Sequence, residues 1–236
     1  MQCAMVIYLN DYKAFFDDYG LRFCLDELAR HLDGGKAHVL IADGYDLIPA
    51  KVVDSYRNVG VLISDVSELN RTIFADNPHL SKIKPLTEYL QICFVRHLIL
   101  ERYFASESTL SFDADLVWRY NPYELAKIWT GGSFVLDGSP CLTFAKNGEW
   151  FRSYREGLKR WCSDPAFGEE FIDASLGRTG VQHDQDLLQH LNATGQIDQD
   201  FKSIRAAPEA AKFCLFANPL APGHGLPSKK RTDVVF

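Results

Sequence analysis

At 236 residues, with 47% hydrophobic and 13% aromatic side chains, the chain can bury a sizeable core, which excludes global disorder and leaves little room for a second independent domain. A formal charge of −6 and a pI near 5.6 exclude a surface built to coat nucleic acid. The six cysteines form no C-x-x-C pair, so they read as small buried side chains in a reducing compartment rather than a zinc site.

In chain order, Ala4 to Leu9 is apolar throughout and reads as a central strand, with Asn10 and Asp11 at its end. It is too short for a signal-peptide core and lacks a basic start. No apolar run reaches the ~18 residues of a membrane span, so a soluble cytoplasmic protein is expected. Leu21, Leu25, Leu28 and Leu32 recur at helical spacing and predict a helix over 18–32, closed by Gly34-Gly35. Strands follow at 37–42, ending in Asp43-Gly44, and at 59–63, ending in Ser64-Asp65.

After a polar stretch, Leu86, Leu90, Phe94, Leu98 and Tyr103 predict a long helix over 85–104, with Pro85 in its first turn. A strand over 110–112 leads into Asp113 and Asp115, and a short helix is expected over 123–129. Residues 133–136 and 141–144 read as two strands joined by the turn-rich Asp137-Gly138-Ser139-Pro140. Helices over 149–161 and 184–191 complete the regular part, and the Pro- and Gly-rich end from Asn218 reads as irregular. Strands alternating with helices imply an α/β domain with a mostly parallel sheet and a ligand at its carboxyl edge. Asn10, Asp11, Asp43, Asp65, Asp113 and Asp115 all fall at that edge.

D-x-D occurs three times, as Asp113/Asp115, Asp184/Asp186 and Asp198/Asp200. Only the first ends an apolar strand. Side chains at i and i+2 of a strand point the same way, so Asp113 and Asp115 are expected to converge on one divalent cation; the plainer alternative is a strand-end turn with solvated carboxylates.

Arg96-His97-Leu98-Ile99-Leu100-Glu101 followed by Leu110-Ser111-Phe112-Asp113-Ala114-Asp115 resembles glycosyltransferases of the GT-A fold, whose helix carrying an Arg precedes a strand ending in D-x-D. His183-Asp184-Gln185-Asp186-Leu187-Leu188 resembles the D-Q motif of their retaining glycogenin and galactosyltransferase types. The resemblance covers most of residues 1–192 in element order and these two segments in detail. It implies a single GT-A (Rossmann-like) domain over 1–236, with a nucleotide-sugar-binding half at 1–122 and an acceptor-side half with a C-terminal tail at 123–236.

The implied activity is hexosyl transfer from a nucleotide-diphosphate sugar, UDP-linked by expectation, to an unidentified sugar, lipid-linked or protein acceptor. Mn²⁺ or Mg²⁺ would be held by Asp113 and Asp115. Arg96 would pair with a phosphate or with one of the aspartates, or else snorkel from its helix. Asn10 and Asp11 sit where the family holds base and ribose, with Asp43 a weaker candidate. Asp184 and Gln185 would face the reacting sugar, although Asp184 also suits a helix N-cap. The family's C-terminal H-x-x-G-x-x-K is matched in part by His224-Gly225-Leu226-Pro227-Ser228-Lys229-Lys230, where Pro227 stands in place of the Gly. His224 is thus a candidate third metal ligand, and Lys229 or Lys230 a diphosphate clamp.

The family's Asn-Ser-Gly segment is missing, Asp137-Gly138-Ser139-Pro140 standing in its region. That leaves an inverting mechanism open, with Asp184 or Asp186 as general base. Two rivals remain. A silent nucleotide-sugar-binding scaffold would need nearly the same residues. A haloacid-dehalogenase-type phosphatase would place D-x-D on its first strand, whereas here three strands come before it. His31, His38, His97 and His190 read as satisfied or half-exposed side chains rather than ligands, and Trp118, Trp129, Trp150 and Trp161 as mostly core, with one or two near the cleft free to stack on a sugar.

Overall fold

The computed structural model describes residues 1–18, 20–128, 132–136, 139–167, 172–173, 178–179, 183–202 and 214–216. The chain begins β1 (Gln2–Tyr8), α1 (Leu21–Arg30), β2 (Ala37–Asp43), α2 (Ala50–Arg57), β3 (Val61–Asp65), α3 (Ser67–Asp76) and α4 (Glu88–Tyr103). It continues β4 (Thr109–Phe112), β5 (Leu116–Trp118), α5 (Pro122–Ile128), β6 (Phe134–Leu136), β7 (Ser139–Ala145) and α6 (Gly148–Ser163). Then come the short β8 (Ile172–Asp173) and β9 (Arg178–Thr179), α7 (Asp184–Ala193), β10 (Asp200–Lys202) and β11 (Cys214–Phe216).

Seven strands form one sheet in the order β10-β6-β7-β4-β1-β2-β3. β3, β2, β1 and β4 run parallel, as do β6 and β10, and only β7 is antiparallel to its neighbours β4 and β6. The expected mostly parallel α/β sheet is therefore present. β8 pairs with β9, and β11 pairs with β5, in separate two-stranded ladders.

Strand alternation splits the core into two layers, one on each face of the sheet. Cys3, Met5, Ile7, Val39 and Ile41 pack under Leu21, Leu25 and Leu28 of α1 and Val52, Val53 and Tyr56 of α2. The opposite side chains Ala4, Leu40 and Ala42 pack against Phe94, Leu98 and Ile99 of α4, with Trp150, Tyr154 and Leu158 of α6 and Leu187, Leu188 and Leu191 of α7 behind them. α4 is buried nearly all round, as a helix covered by both a sheet and other helices must be.

Several sequence expectations shift. The helix expected over 18–32 is α1, which starts only after Gly20 (φ 78°), and a π-helical turn at Ala14–Asp18 precedes it. The polar stretch before α4 contains α3, and α2 lies between the second and third strands. α3 lacks a side-chain cap at Val66, but Asp65 just upstream accepts the Ser67 N–H at 2.9 Å. Gly44 is required by geometry: its φ is 82°, and a Cβ there would lie 1.7 Å from the Leu9 carbonyl oxygen. This contact presses the turn after β2 onto the end of β1. No helix of the described residues is long and apolar enough to cross a membrane.

Candidate active site

The carboxyl ends of β3, β2, β1 and β4 lie along one edge because the four strands are parallel. In register, Tyr8 stands opposite Asp43, and Ile41 opposite Asp65. The edge therefore gathers Asp65, Asp43, Asn10, Asp11 and Asp113, as the strand-end reading expected. Asn10, Asp11 and Asp43 are exposed there. Each aspartate also stabilises its own turn: Asp11 accepts the Ala14 N–H at 2.9 Å, and Asp43 accepts the Gly44 N–H at 3.0 Å.

The D-x-D motif sits differently from the strand reading. β4 ends at Phe112, and Asp113 to Leu116 form a turn closed by the Leu116 N–H on the Asp113 carbonyl at 3.2 Å. The Asp113 N–H is held by the Cys141 carbonyl of β7 at 2.8 Å. Thus it is a turn, rather than strand alternation, that sets the two carboxylates near each other. Burial and the negative charge of Asp113 raise the Asp115 carboxyl to about 6. A buried carboxyl raised by the charge of its neighbour suits a hard divalent cation, which removes the repulsion. Among the described residues there is no cluster of three metal-ligating side chains. His224, Lys229 and Lys230 lie outside the described residues.

Arg96 is the hub. It stands on α4 with only 11% of its side chain exposed, and its two terminal nitrogens reach Asp113 and Asp184, each at 2.5 Å. Of the alternatives for this residue, the structure shows pairing with aspartates, and with two of them. Burial alone would lower the guanidinium's proton affinity, but Asp184 and Asp113 outweigh it and hold the charge firmly. Nε is buried without a hydrogen-bond partner among the described residues.

Asp184 is the first residue of α7, and the N-cap position belongs to His183. The expected N-cap role for Asp184 is corrected accordingly. Its carboxylate is 6% exposed and takes the Arg96 guanidinium and the Gln185 N–H (2.9 Å). Burial raises its proton affinity, and Arg96 opposes that. Asp186 is 1% exposed and accepts the His183 N–H at 3.1 Å, closing a capping box. As a base on an acceptor it is badly placed. Gln185, half-buried beside Asp184, completes the pair singled out by the D-Q resemblance.

Sequence reasoning missed Tyr89 and Cys93, which share the Arg96 face of α4 at positions i, i+4 and i+7. Their signal was that spacing relative to Arg96, rather than any motif. His97, beside Arg96, is packed between the rings of Trp150 and Tyr154 and fully buried, with neither ring nitrogen hydrogen-bonded among the described residues, instead of the satisfied or half-exposed side chain that the sequence reading expected.

No protein-family model matches the sequence, and no curated protein matches it either. Among solved structures the chain is similar to mouse xyloside xylosyltransferase 1 in its apo form, with a TM-score of 0.58 and 14% identity over 86% of this chain and 85% of that one. It is also similar to the glycosyltransferase GlyE of Streptococcus pneumoniae TIGR4, with a TM-score of 0.48 and 13% identity over 86% of this chain and 44% of that one. Identity this low speaks for shared architecture. With its parallel strands β3-β2-β1-β4 and the antiparallel β7 beside them, the chain has a GT-A-like glycosyltransferase fold.

Proposed function

We propose that the protein is a metal-dependent glycosyltransferase that moves a sugar from a nucleotide diphosphate, UDP by preference, to an acceptor hydroxyl. The observation that carries this reading is the linkage of D-x-D to the D-Q helix: Asp113, Arg96 and Asp184 form one ion-paired chain at the sheet's carboxyl edge. The fold shared with a xylosyltransferase supports it.

On this reading Asn10, Asp11 and Asp43 take the base and ribose, and Asp113 and Asp115 hold Mn²⁺ or Mg²⁺. When bound, such a cation neutralises charge on the diphosphate leaving group. The edge is rich in carboxylates, and a diphosphate needs opposing charge; that makes a cation at Asp115 a sensible partner. His224, Lys229 and Lys230 stay in the proposal as a third ligand and a clamp. Arg96 fixes Asp184, and Asp184 with Gln185 orients the transferred sugar in a site that excludes water.

The burial of Asp184 favours a second reading, in which the protein binds a nucleotide sugar without turning it over. The two differ in Asp184→Asn, which removes turnover but leaves donor binding if Asp184 is catalytic.

The test is thermal unfolding with nucleotide diphosphates and nucleotide sugars, each with and without Mn²⁺. A ligand at ~100 times its Kd adds about 2.7 kcal/mol, a visible shift at this chain length. A shift that needs both Mn²⁺ and one nucleotide supports the reading and names the base. No shift with any combination overturns it.

A further inference from the structure

Tyr89 is the most exposed large hydrophobic side chain among the described residues, at 70%. Single exposed aromatics are ordinary on protein surfaces, so exposure alone means little. Its position is what sets it apart. Thr87 caps α4, so Tyr89 lies in the first turn, and neighbouring Glu88 is within electrostatic range of Tyr8 at the end of β1. That places the start of α4 at the carboxyl edge of the sheet. Cys93, one turn on, and the carboxylates of Asp113 and Asp184 lie within electrostatic range of the Tyr89 phenol. On one helix face, Tyr89 stands two turns before Arg96, roughly 10 Å outward along the axis.

The site thus has depth. At its floor are Asp113, Arg96 and Asp184, where the transferred sugar would lie. The nucleotide half is already assigned to the ends of β1 and β2. On the transferase reading the acceptor comes to the sugar past the Arg96 face of α4, and the side chain two turns outward on that face is an exposed phenol. An aromatic face suits the C–H face of a pyranose, and the phenol adds a hydrogen bond.

We propose that Tyr89 is the platform on which the acceptor's sugar ring stacks, and hence that the acceptor is a saccharide. This rests on the transferase reading above. In the reaction the bond from the donor's anomeric carbon to the diphosphate oxygen breaks and a bond to the acceptor's hydroxyl oxygen forms. The diphosphate leaves with the bonding pair, and the hydroxyl proton passes to it or to water.

The experiment measures transfer from the nucleotide sugar that gives the Mn²⁺-dependent shift. The probes are p-nitrophenyl glycosides of glucose, galactose, xylose and N-acetylglucosamine, with a serine-containing peptide as the non-saccharide acceptor. Wild type, Tyr89→Phe and Tyr89→Ala are compared. The expected result is transfer to at least one glycoside, with acceptor KM raised about tenfold or more in Tyr89→Ala, kcat little changed, and KM largely restored in Tyr89→Phe. Equal KM in wild type and Tyr89→Ala overturns the platform. Transfer to the peptide alone, or to none of the probes while the wild type still shows its donor shift, overturns the saccharide acceptor. Absence of that donor shift is the separate failure of the transferase reading and removes the inference with it.

Discussion

Arg96 and Asp184, 88 positions apart in the chain and on different helices, meet at 2.5 Å, with side chains only 11% and 6% exposed. Two charges so far from water are held by each other and by Asp113. Removing one partner strands the rest. Arg96→Met should therefore destabilise the fold by about 3–5 kcal/mol in urea unfolding, the range for breaking a buried pair. Arg96→Met/Asp184→Leu should recover part of that loss. An Arg96→Met variant as stable as the wild type would show that the pair is not held in solution.

Asp115 differs from Asp113 in having no ion pair among the described residues, so it is the cleaner probe of the metal assignment. Asp115→Asn should abolish the Mn²⁺-dependent donor shift, while the melting temperature without ligand stays near that of the wild type. A full donor shift in this variant would remove Asp115 from the proposed ligand set.

His97 gives a pH dependence whose sign is fixed by its surroundings. Trp150 and Tyr154 of α6 enclose it, neither ring nitrogen has a hydrogen-bond partner among the described residues, and Arg96 is the adjacent charge. Burial first, then Arg96, holds its pKa well below 6.5. The unfolded chain takes a proton near pH 6.5 that the folded protein refuses, so stability present above that value is lost as pH falls. A histidine kept wholly neutral costs about 1.4 kcal/mol at pH 5.5 by this linkage. Urea unfolding at pH 7.5 and 5.5 should show that loss in the wild type and a smaller one in His97→Leu. Equal pH dependence in the two proteins would rule the histidine out as its source.

Gly44 should tolerate no side chain. Gly44→Ala places a methyl group against the Leu9 carbonyl at a left-handed φ of 82°. A cost above about 2 kcal/mol is expected, combining left-handed strain with backbone displacement. Thermal unfolding reads it directly, and an unchanged melting temperature would mean that the β1 and β2 ends are not pressed together.

How much the residues revealed depended on how far each signal reached along the chain. Apolar runs such as Ala4 to Leu9 and the long period of α4 are local, and the sheet's parallel edge followed from their alternation. α3 was hidden because only Asn70 and Ile73 are buried in its ten residues, leaving no stripe to read. β5 and β10, at three residues each, are too short for a period. Asp113 and Asp115 were correctly placed at the edge, but the turn that brings them together depends on the Cys141 carbonyl, far along the chain. The Arg96–Asp184 pair was beyond reach for the same reason. Tyr89 was overlooked because a helix-face argument ranks an exposed position as solvent, and only Arg96 seven residues on gives that face a purpose.

β4 is an inner strand only because β7 covers it. Thr109 to Phe112 are all buried, and their outer edge pairs with Leu142 to Ala145. During synthesis the parallel strands β1 to β4 emerge first, and β4 presents an apolar, unpaired edge until β7 follows. At about 5–20 residues per second that interval lasts seconds, long enough for pairing with another nascent chain. The strand that anchors the D-x-D turn through Cys141 is also the one that closes this edge, so completing that turn and protecting the newborn chain from aggregation are the same folding event.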